Sequence, residues 1–135
     1  MAAAARKPKS GFRVFPLYLT LIAAALSFGF VFKEQLQIEA EVGIGYWLGI
    51  AGVGCVGVLL LYPVRKRYPK LAFLGSVPSW FHLHMALGIL APTFILFHAG
   101  FRTGSVNAAV ALVTMLIVAA SGLFGRMLYV RIHRN

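Results

Sequence analysis

The sequence holds four histidines, and three of them fall in one apolar stretch, WFHLHMALGILAPTFILFH, residues 80–98. Imidazole is the commonest protein ligand for transition metals and the side chain that titrates nearest neutral pH. His84 and His98 are 14 residues apart. On a helix this is close to four turns, so both leave one face, about 21 Å apart along the axis. Gly88 and Ala91 stand four and seven positions beyond His84 on that face. Pro92 removes one backbone hydrogen bond beside them. The stripe offers nitrogen at two depths with clearance for a large flat group between, which fits axial ligation of haem b, one or two groups, by His84 and His98. A polar contact in a subunit interface is the plainer role for such histidines, and a proton or quinone site is a further one. His82, 16 residues from His98, points to nearly the opposite face and reads as structural or headgroup-contacting.

Side chains of this kind need elements that hold them in hydrocarbon. The chain of 135 residues is 60% hydrophobic and 12% charged, with a mean hydropathy of +0.83, well outside the composition of soluble domains. Apolar runs cover about 14–32, 44–62, 80–101 and 106–130, each close to the roughly 20 residues a helix needs to cross a bilayer. The expected fold is an all-α integral membrane protein: a basic tail, 1–13, then a four-transmembrane-helix bundle within 14–135. The first run follows a basic stretch like a signal peptide, but its length and the want of a small-x-small cleavage site favour a helix. His133, in VRIHRN just past the fourth run, emerges at the end of the bundle where His84 lies, and is the remaining candidate ligand.

Charge sets the expected orientation. Arg6, Lys7, Lys9, Arg13, Arg65, Lys66, Arg67, Lys70, Arg126, Arg131 and Arg134 share one side if the four runs alternate. Lys33, Arg102 and all the acids, Glu34, Glu39 and Glu41, share the other. The basic side is expected to be cytoplasmic, with both termini inside, as in a bacterial inner membrane. The net charge of +10 lies in short juxtamembrane clusters suited to topology and anionic lipid, not nucleic acid. Arg102 and Arg126, near helix ends, snorkel to headgroups or meet the acid groups of a haem. Tyr46, Trp47, Tyr62, Trp80 and Tyr129 stand where interfacial aromatic belts occur.

Other chemistries find no support. Neither a phosphate-binding loop nor a carboxylate pair nor a nucleophile–base arrangement is present. The lone Cys55 excludes an internal disulfide or a cysteine cluster and reads as a small buried thiol. Gly45, Gly49, Gly52 and Gly57 recur at spacings that suit close helix packing.

The segment LHMALGILAPTFILFH resembles the histidine-bearing helix of membrane b-type cytochromes, above all the ferric-reductase-like transmembrane domain. The likeness spans about residues 80–134, as LHxxLG…H followed by a glycine-containing helix. It implies two haems between helices and electrons carried across the bilayer. Those families supply a second helix with its own histidine pair, whereas the first two runs here contain no histidine. The missing ligands are therefore expected from other membrane subunits or a second copy. The chain is expected to be at most an electron-transfer subunit of an oxidoreductase. The alternative is a non-catalytic accessory subunit of a larger membrane assembly that binds no haem.

Overall fold

The computed structural model describes residues 11–132, so most of the basic tail and His133 lie outside the described residues. Four long helices, α1 (Gly11–Val31), α3 (Gly43–Arg67), α4 (Val77–His98) and α5 (Val106–Ile132), are joined by a short helix, α2 (Lys33–Leu36), and a 3-10 strap, Pro69–Leu74. Among the described residues there is no strand. Each long helix contains a segment long and apolar enough to span a membrane. Phe28, Trp47, Val53 and Phe124 are among many large hydrophobic side chains left exposed. Apolar surface on this scale, carried by helices of this length, marks an integral membrane protein whose outer faces meet lipid.

Local sequence explains where the helices begin and end. Ser76 caps α4, its Oγ accepting from the Ser79 N–H at 3.4 Å, and Pro78 lies in the first turn, where its missing N–H costs nothing. Ser105 caps α5 through the Ala108 N–H at 3.2 Å. The third helix continues through Pro63 and stops at Arg67, with Tyr68 extended ahead of Pro69.

Helix α4 is central. It packs along α3 over most of its length, touches α5 more lightly and meets α1 at a few points. Burial is deepest at its middle, at Ala91, Pro92 and Thr93. Tyr18 of α1 donates to the Ala86 carbonyl at 2.6 Å, and Gly29 admits the Phe97 ring, which an added Cβ would meet at 2.5 Å. Contacts at the two ends fix an alternating arrangement. Arg102 pairs with Glu34 at 2.8 Å at one end, called here the acidic end. At the opposite, basic end the Arg126 guanidinium lies 3.9 Å from the Phe15 ring centroid.

Arg65 departs from its place in a solvated basic cluster. It is only 7% exposed, and its Nε and Nη2 both donate to the Gly75 carbonyl, at 3.1 and 2.8 Å. Gly75 has φ +110°, a conformation L side chains rarely adopt. Trp80 Nε1 donates to the neighbouring Leu74 carbonyl at 2.9 Å. The strap is thus pinned to both helices it joins.

Candidate cofactor-binding cleft

His84 lies two turns into α4, half-buried, its ring centroid 4.9 Å from that of Tyr62 on α3. It lines a groove of about 380 Å³ bounded by α3, α4 and α5. Gly88 and Ala91 continue its wall along α4, and Ala119 and Gly122 face them from α5. A Cβ at Gly88 or at Gly122 would meet nothing within 4 Å, so the groove is open beside both. The Nδ1 of His84 is buried without a hydrogen-bond partner. A polar atom left so costs about 1–3 kcal/mol if it carries hydrogen. Rotating the ring by half a turn exchanges its two edges, so either nitrogen can address the groove.

His98 ends α4 and leans across α3. Its Nδ1–H donates to the Gly45 carbonyl at 2.8 Å, and its ring lies so close to Gly49 that an added Cβ would meet Nδ1 at 2.6 Å. A carbonyl only accepts, so the neutral ring carries its hydrogen on Nδ1 and keeps the Nε2 lone pair free. This is how metal-ligating imidazoles are usually held: the second nitrogen bonds an acceptor that fixes the tautomer and raises basicity. Thr93 donates within its own helix, to Ile89 at 2.8 Å, and the acceptor for His98 comes from α3.

His98 lines a cavity of about 500 Å³ between α4 and α5, together with Arg102 and Thr103 and, from α5, Ala108 and Ala111. It also borders a shallow groove on the α3 side, beside Gly49 and Ile50. Met115 lines both the His84 groove and the cavity of His98. The two spaces therefore adjoin at Met115. Ala108, Ala111, Met115, Ala119 and Gly122 recur three or four residues apart, so one mostly small-residue face of α5 forms the far wall.

His84, Gly88 and Ala91 thus share one groove, His98 lines the adjoining cavity, and His133 lies outside the described residues. His82 is exposed and donates to the Pro78 carbonyl of its own helix at 2.7 Å. Cys55 is half-buried on α3. Among the described residues no three His, Cys, Asp or Glu side chains converge, which leaves no cage for a bare ion. Haem brings four nitrogens of its own and asks the protein for one or two axial ligands in an apolar slot. The residues fit that demand in ligand type, apolar lining and clearance. A second imidazole on the α5 wall is missing among the described residues.

No family model, no curated protein and no solved structure matches the chain.

Proposed function

We propose that this chain is a small b-type cytochrome-like subunit that carries electrons within or across a membrane complex. The observation that supports this reading best is that His84 and His98 line two adjoining apolar spaces at different depths of the bundle. Haem b held there would supply one-electron redox chemistry. His84 and His98 would hold its iron, Gly88 and Ala91 would give it clearance, and the Gly45 carbonyl orients the His98 ring. The apolar walls exclude water, which lowers the local dielectric and helps tune the potential. The likeness of residues 80–134 to the ferric-reductase-like transmembrane domain favours the same reading. The basic end faces the cytoplasm, with both termini inside, as in a bacterial inner membrane. Other membrane subunits or a second copy complete the electron path.

One contact favours a second reading. The His98–Gly45 hydrogen bond also joins α3 to α4, as a purely structural histidine in an accessory subunit would. A reduced-minus-oxidised visible spectrum of the purified chain separates the two. A b-type Soret and α-band pair is expected. A chain without haem signal, alone and in its native complex, is the accessory subunit.

A further inference from the structure

We infer that the cavity at the acidic end is an open coordination site. His98 is the one axial ligand supplied there, and the opposite position takes a small exogenous ligand of one or two heavy atoms, met by Arg102 and Thr103. This rests on the haem reading and extends it from electron carriage to ligand binding.

His98 is held as a five-coordinate site requires. Its Nδ1–H is tied to Gly45 at 2.8 Å and the ring is wedged on Gly49, so the coordinating nitrogen is oriented before any ligand arrives. Among the described residues no second imidazole lines this cavity. His82 and His84 lie toward the basic end of α4, and His133 lies outside the described residues. The α5 wall facing His98 presents Ala108, Ala111 and Leu112, which carry no donor atom on their side chains. Met115 is the remaining side chain there able to ligate iron, and it sits where the two cavities meet.

Besides His98, the polar side chains of this cavity are those of Arg102 and Thr103. One Arg102 nitrogen is engaged by Glu34 at 2.8 Å, and a guanidinium has five N–H donors in all. A cation and a hydroxyl beside an open position favour ligands that bring negative charge. The His84 groove has no charged residue among its described lining. The open site therefore belongs to His98.

The full chain, purified with its haem in mild detergent, tests this by reduced spectra with and without carbon monoxide and oxidised spectra titrated with cyanide. In the wild type the Soret band should shift with carbon monoxide. His84→Ala should keep the shift and His98→Ala should lose it. Arg102→Leu should retain haem, weaken cyanide binding about tenfold through loss of a charge-assisted hydrogen bond, and leave carbon monoxide affinity within about twofold. Haem that responds to neither ligand, in wild type and in His84→Ala alike, overturns the open site while leaving the haem reading intact. A response gained only in Met115→Leu makes Met115 the sixth ligand and likewise overturns it. A wild type without haem defeats the underlying reading, and the first spectrum tells that case apart.

Discussion

The imidazole of His98 and the backbone of Gly49 occupy adjoining space so closely that a single methyl on Gly49 would meet the ring at 2.6 Å. The contact joins the acidic ends of the two most tightly packed helices. It converts glycine from a general packing residue into the seat of one particular side chain.

Gly49→Ala should therefore push His98 off the Gly45 carbonyl. Overpacking of this kind costs about 1–3 kcal/mol, against less than about 1 kcal/mol gained from helix propensity. Thermal unfolding in detergent should fall for Gly49→Ala and hold or rise for Gly57→Ala, where a Cβ meets nothing within 4 Å. Equal behaviour of the two variants would dismiss the seat.

Gly88→Phe probes the cleft without touching a ligand. The space beside Gly88 is open, so the variant should fold and elute like wild type. Haem content should drop severalfold because the aromatic ring fills the groove. Unchanged haem content would place the cofactor elsewhere.

The histidines of α4 should separate by position. His84→Ala should remove one component of the reduced-minus-oxidised spectrum, whereas His82→Ala, exposed and bonded to its own helix, should leave the spectrum intact. A larger spectral change in His82→Ala than in His84→Ala would reverse the assignment.

Arg65 makes a different demand. Arg65→Ala leaves the Gly75 carbonyl without two charge-assisted donors, a loss of about 1.5–3 kcal/mol. Limited proteolysis should then cut within Pro69–Gly75 faster than in wild type. Arg65→Lys should restore little, because an ammonium is a point donor that cannot reproduce the fork. Full protection by lysine would show that charge alone pins the strap.

Orientation is open to direct measurement. A reporter fused after Asn135 should be active only on the cytoplasmic side, and one inserted in the 100–105 loop only on the opposite side.

Much of the scaffold can be read from residues alone, because length and apolarity decide whether a helix can cross hydrocarbon. The His84–Gly88–Ala91 stripe is legible for a similar reason: helical phase is set by spacing, and all three line one groove. What spacing cannot supply is the identity of the facing element. Gly45 and Gly49 carry a visible four-residue repeat, but only the α3–α4 packing reveals that it receives His98. Tyr62 reads as an interfacial aromatic, and only the packing shows that its ring lies tilted beside that of His84. The near-equal apolarity of all faces of α5 hides which one walls the cleft, since lipid and cofactor ask for the same surface.

The loose seat of α5 against α4 has a thermodynamic consequence. In a bilayer an apolar cleft open at its side is never empty, because acyl chains enter it. A ligand there is weighed against the lipid tail it displaces, and apolar burial contributes little to that exchange. Selectivity must then come from the bonds a tail cannot make, at His84 and His98. Occupancy becomes a property of the membrane as well as of the protein, rising or falling with the length and unsaturation of the chains around it.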